Sequence, residues 1–251
     1  MKKYIALTAL LAAGSAFANA AGETTDLAEK LLSYNSTDVW GLSFGSEYTN
    51  GYKMDGAMNK QGTFWDVSGH VVAGGVTTAS NHRPHLAGGE YGSWTEDFQF
   101  TITLTLGETI SASNKWPVFA EIVGNGTALR FGPYTGNDNK VAVDGNVTKG
   151  ENNLVAVAPG GTYTVDLVKV GNDVTLYVNG ALTGAGTLAD SVSGNITDIA
   201  LGGNKTDGYR INETVHSISY KTLSFIPEPS TFGLLAGLGA LALVGTRRRR
   251  K

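Results

Sequence analysis

The chain has 251 residues and no cysteine, which excludes disulfides and cysteine-ligated metals. Its formal charge of −3 hides an asymmetry: setting aside Lys2, Lys3, Glu228 and the last five residues leaves 12 Lys and Arg against 21 Asp and Glu in residues 21–226, about −9. That balance argues against nucleic-acid binding.

The chain opens on MKKYIALTALLAAGSAFANA. Lys2 and Lys3 precede an apolar stretch from Tyr4 to Ala13, and small residues stand at Ala18 and Ala20. This order predicts a secretory signal peptide over 1–20, handled by the secretion machinery and cut after Ala20. The roughly 205 residues of 21–226 are then the exported part, enough for one domain with a sizeable core.

Helical signal in that part is confined to TDLAEKLL, with Asp26 as a candidate cap. Gly69 to Gly75 reads as a strand. NHRPH puts His82 and His85 close together, but Pro84 interrupts and no third ligand follows, so it reads as a solvated loop rather than a two-His metal site.

The clearest strand is DFQFTITLTL, in which Phe98, Phe100, Ile102, Leu104 and Leu106 alternate with polar residues. Period two over ten residues means one buried and one wet face, as in an antiparallel sheet. WPVFAEIV, TALRFG, KVAV, TYTVDLVKV, VTLYV, NITDIALGG and VHSISYKTLSF follow as further strands. Asn125-Gly126 and Asn179-Gly180 are hairpin signals, because both positions of such a turn need φ > 0. Many short strands with Gly- and Asn-rich turns predict an all-β, antiparallel two-sheet sandwich. Its core should include Phe98, Phe100, Ile102, Leu104, Val165, Leu167, Leu176 and Val178.

The run GGTYTVDLVKVGNDVTLYVNGALTGAG, then ITDIALGG and a last strand, resembles the laminin G-like group of the concanavalin A-like jelly rolls. The marker is a strand ending Leu176-Tyr177-Val178-Asn179-Gly180, and the likeness spans about Phe98 to Phe225. It implies a jelly-roll fold and a non-catalytic domain for binding carbohydrate. Trp94, Trp116 and Tyr134, near strand ends, are candidate glycan-stacking rings, with capping of the core as the competing role. Asp138, Asn139, Asp144 and Asn146 are hard oxygen donors around a short strand and form a candidate calcium site; the same residue types are also ordinary turn formers. No other cofactor is implied. Laminarinase-type hydrolases of this superfamily carry Glu-x-Asp-x-Glu or a close variant on one strand, which sends acid and nucleophile into one cleft. That spacing is absent, and the adjacent pair Glu96-Asp97 would point to opposite faces of a strand. The reading is therefore not an enzyme.

The chain ends IPEPSTFGLLAGLGALALVGTRRRRK. Pro227, Glu228 and Pro229 form an extended linker, since proline fixes φ and disfavours helix before it. Residues 230–246 carry no charge and, as a helix, span roughly 25 Å, short for a hydrocarbon core of about 30 Å. Arg247, Arg248, Arg249, Arg250 and Lys251 supply flanks that snorkel to headgroups and favour the cytoplasmic side. This order of parts, over 227–251, resembles the PEP-CTERM sorting signal of Gram-negative bacteria. The resemblance implies recognition and cleavage by a membrane-embedded exosortase in a host that makes exopolysaccharide. The precursor would be anchored in the inner membrane, and the mature form would belong to the cell surface or matrix. The competing functions are a purely structural or adhesive surface protein without a glycan ligand and, less favoured, a glycan-active hydrolase.

Overall fold

The computed structural model describes residues 25–43, 53–55, 71–72, 75–77, 85–110, 118–134, 138–150, 154–202 and 211–226. Both chain ends, with Ala18, Ala20 and everything from Pro227 onward, lie outside these residues, as do Trp116 and His82. Among the described residues one helix, α1 (Thr25–Leu31), precedes fifteen strands. They are β1 (Tyr34–Ser43), β2 (Lys53–Asp55), β3 (Val71–Val72), β4 (Gly75–Thr77), β5 (His85–Ser93), β6 (Phe98–Ile110), β7 (Ala120–Gly124) and β8 (Thr127–Tyr134). Then come β9 (Lys140–Gly145), β10 (Val147–Lys149), β11 (Thr162–Val170), β12 (Asp173–Val178), β13 (Ala181–Leu188), β14 (Asn195–Leu201) and β15 (Ile211–Phe225).

The strands form two antiparallel sheets. The larger runs β10-β13-β12-β11-β6-β15-β1-β2, with the β3–β4 pair joined to β15 through β4; the smaller runs β5-β14-β7-β8-β9. Their facing sides make one core. All eight expected core residues are in it, each at most 2 % exposed. Phe100 of the larger sheet meets Phe131 of the smaller edge to face, with ring centroids 6.1 Å apart.

The predicted turns form as their chemistry requires. Asn125 and Gly126 have φ of 47° and 75°, and Asn179 and Gly180 have 49° and 85°. Within Gly69 to Gly75 the described residues belong to two strands rather than one: Val71 and Val72 of β3 pair antiparallel with Val76 and Gly75 of β4. His85 opens β5, in register with Ala200, rather than sitting in a loop. Asp26 lies inside α1, and its carboxylate accepts from the backbone N–H of Leu182 (3.0 Å), so it secures the start of β13. The helix packs Leu27 and Leu31 on the outer side of the larger sheet, over Val168, Tyr177 and Leu223. Covered on both sides, β11 is buried without interruption from Val165 to Lys169, and alternation is lost there.

One side of the sandwich is sealed by Thr183, which is fully buried. Its hydroxyl donates to the Val141 carbonyl (2.8 Å) and accepts from the Val155 N–H (3.0 Å). Thr183→Val keeps the volume but strands both partners. It should cost about 1–3 kcal/mol, read as a lower urea midpoint at unchanged slope.

Glu213 of β15 stands opposite Leu106 and is 1 % exposed. Burial holds its carboxyl well above the ordinary glutamate range. The folded state therefore keeps a proton that the unfolded chain releases once pH exceeds that range, so this contribution to stability falls as pH rises. Glu213→Gln should be more stable than wild type at about pH 8, with the difference vanishing near about pH 4. Urea melts at the two pH values test this; equal gains at both would refute it.

Candidate functional site

The last strand fixes where the C-terminal segment leaves the sandwich. β15 is flanked by β6 on one side and β1 on the other. It reaches one pole, where Thr222 stands opposite Phe98 and Leu223 N–H donates to the Asp97 carbonyl (2.8 Å). Beyond β6 the strand continues against β1: Phe225 pairs with Tyr34, and Ile226 N–H donates to the Ser33 carbonyl (2.8 Å). The Tyr34 and Phe225 rings meet edge to face at 5.9 Å. One residue later Pro227 begins the extended linker read from the sequence.

An aromatic cluster stiffens this exit pole. Tyr220 stacks on Phe98 (5.0 Å) and on Trp40 (5.9 Å). The Trp40 indole N–H donates to the Tyr91 carbonyl (2.7 Å) and so ties the larger sheet to the smaller. Gly92 lets β5 approach this closely, since a Cβ there would stand 2.3 Å from Cζ of Tyr220. Lys169, 2 % exposed, donates from Nζ to the Glu96 carbonyl (2.9 Å). Burial pushes its ammonium pKa down, against the pull of Asp97 and Glu96. Asp97 Oδ1 accepts from Gly171 N–H (2.7 Å). The Glu96-Asp97 pair thus belongs to a pinned turn between β5 and β6, not to a strand.

The other sequence candidates do not converge. Trp94 sits at the exit pole, 2 % exposed, with its indole N–H on the Gly124 carbonyl (3.2 Å) and its ring 6.2 Å from Phe98. That is the place of a core cap. Tyr134 ends β8 at the opposite pole, in register with Lys140. Asp138 and Asn139 form the turn before β9, while Asp144 and Asn146 lie at its other end. Four strand residues, Lys140 to Val143, lie between Asn139 and Asp144, about 16 Å end to end, so the four donors are not gathered around one point. Asn146 Oδ1 already accepts from Ala128 N–H (2.7 Å). Among the described residues no group of three or more His, Asp or Glu is placed to hold a metal.

The sequence reading missed β1 and the N-terminal half of the exit. The pairing of Tyr34 with Phe225 joins residues far apart in the chain, and neither YNSTDVW nor its neighbours alternate. Only the proximity of two aromatics to the two ends of the exported part hinted at it.

Residues 225–250 match the family model of the PEP-CTERM protein-sorting motif. The motif implies an exported protein of Gram-negative bacteria that an exosortase processes at the membrane. No curated protein matches the chain. Similar solved structures include the Trypanosoma rangeli sialidase in complex with sialic acid, at 13 % identity and TM-score 0.47, covering 73 % of this chain and 30 % of that one. Another is the binding domain of botulinum neurotoxin serotype G, at 10 % identity and TM-score 0.46, covering 78 % and 49 %. The chain spans less than half the length of either structure. No helix among the described residues is long and apolar enough to cross a membrane; the apolar run after Ser230 lies outside them.

Proposed function

We propose that the chain is a surface or matrix protein whose precursor is held in the inner membrane by residues 230–246. An exosortase-type enzyme then reaches Pro227-Glu228-Pro229 at the outer face. One observation carries this reading: the sorting motif begins at Phe225, the last residue of β15, so the strands end where the signal starts. The fold and the signal are adjoining parts with little overlap, as a removable tail requires. The five terminal cations support a cytoplasmic end for the tail.

The sandwich, in this reading, is a jelly roll of the laminin G-like kind that binds polysaccharide without cleaving it. The strand ending LYVNG and the missing acid–nucleophile spacing support this. The test is retention of the exported domain on immobilised polysaccharides, the host's own matrix included, together with an assay for new reducing ends. Retention without new ends supports the reading. Release of reducing ends would make it an enzyme, and retention on none would leave a structural or adhesive protein.

A further inference from the structure

The exit corner carries exposed apolar side chains that the core does not use. Leu32, just after α1, is 77 % exposed, Phe225 is 60 % and Ile226 is 38 %. Backbone pairing brings them together: Ile226 N–H bonds to Ser33, the neighbour of Leu32, and Phe225 is in register with Tyr34. The exposed residues around them are Ser33, Asn35, Ser36 and Ser224, which offer hydroxyls and an amide. Ionic groups stand close by: exposed Glu29 and half-buried Lys30 lie on the last turn of α1, where Leu32 N–H donates to the Glu29 carbonyl, while Asp97 bonds to Gly171 N–H and Lys221 pairs with Asp38 at 3.0 Å. Apolar side chains grouped at one corner and rimmed by polar groups mark an interaction surface.

The chain that follows says what lies opposite. Three residues, Pro227 to Pro229, separate Ile226 from the uncharged run beginning at Ser230. In extended proline geometry they reach about 9–12 Å. The headgroup layer of one leaflet is about 5–8 Å deep. A tail seated in the bilayer therefore holds this corner at the membrane surface, and aromatic and aliphatic side chains are favoured there.

We propose that Leu32, Phe225 and Ile226 rest in the headgroup layer of the membrane that holds the precursor, so that the sandwich stands on its exit corner with the opposite pole outward. This rests on the membrane-anchor reading above and adds a second contact to it. Cleavage of the tail would then free a domain already held upright at the processing site.

The chain has no cysteine, so single labels can be placed cleanly. Full-length precursor carrying an environment-sensitive fluorophore at Ser224→Cys is reconstituted into phosphatidylethanolamine–phosphatidylglycerol vesicles containing nitroxide lipid. A label at Ala158→Cys, in the turn before β11 at the opposite pole, serves as reference. The expected result is a blue-shifted, lipid-quenched Ser224 label and an unquenched Ala158 label. Adding Leu32→Ser and Phe225→Ser should bring the Ser224 label towards the reference. If the protein floats with the vesicles but those two changes leave the quenching as it was, the second contact is refuted and the anchor stands. If the protein does not float with the vesicles, both readings fall. If the label is shielded only in native membranes that contain the processing enzyme, the corner docks on protein and the proposal is overturned.

Discussion

Replacing Pro227-Glu228-Pro229 by three alanines leaves a folded protein that keeps its whole C-terminus and stays in the inner-membrane fraction. The fold should not register the change, because the last described contact of the strand is Ile226 on Ser33, before the first proline. The tail should register it strongly. Alanine lifts the restriction on φ and restores a backbone N–H, so the segment can continue as helix from the apolar run. It also removes the Glu228 carboxylate. Intact mass of protein isolated from the native host reads the outcome directly: wild type shortened near residue 227, the variant not. A companion deletion of Ser230 to Lys251 should give a folded sandwich that escapes to the medium. If wild type and the triple-alanine variant share one C-terminus and one location, the tail is a plain anchor and the sorting reading fails.

Ile102→Ala should cost about 2–5 kcal/mol, whereas Thr103→Ala should cost well under about 1 kcal/mol. The two residues are neighbours on one strand. Ile102 is 0 % exposed and stands in register with Val165 on one side and Ile218 on the other. Truncation there opens a cavity between the sheets that three strands and their partners cannot close. Thr103 faces outward, half-buried opposite Thr164 and Ser217, and its hydroxyl is 3.5 Å from that of Thr164. Urea melts of the two variants measure the contrast. Equal, mild effects would show that the face assignment of β6 is wrong.

How far the sequence could be read varies along the chain for physical reasons. Phe98 to Leu106 declared itself because its two faces differ: Thr101, Thr103 and Thr105 keep half-exposed hydroxyls on the outer side and Gln99 is buried there on Asp166, so polar residues take alternate places. The Asn-Gly turns were legible because positive φ restricts the choice of residue. β1 was not legible: its first six residues are half-exposed or exposed, and only Trp40 and Leu42 enter the core. β13 was hidden by Gly184 and Gly186; a Cβ at Gly186 would stand 3.1 Å from the Thr148 carbonyl, so glycine serves close packing there. The proposed calcium donors illustrate the limit from the other side. Residues near in sequence were taken as near in space, yet an intervening extended strand is an efficient way to hold them apart. The exit corner, by contrast, is made by two segments from opposite ends of the described sandwich, and no local pattern announces such a meeting.

The placement of β15 also decides how the protein bears a load. Any tension transmitted through the tail enters the sandwich along the axis of a strand hydrogen-bonded to β6 and β1. The bonds of those ladders lie across the pull, so they share the force and must slip together, whereas a terminal strand at a sheet edge pulled sideways would open one bond at a time. Resistance to such forced opening is governed by the unfolding rate rather than by equilibrium stability. A domain held through an interior strand can thus be drawn on from its C-terminal end without peeling, with the edges of both sheets left slack.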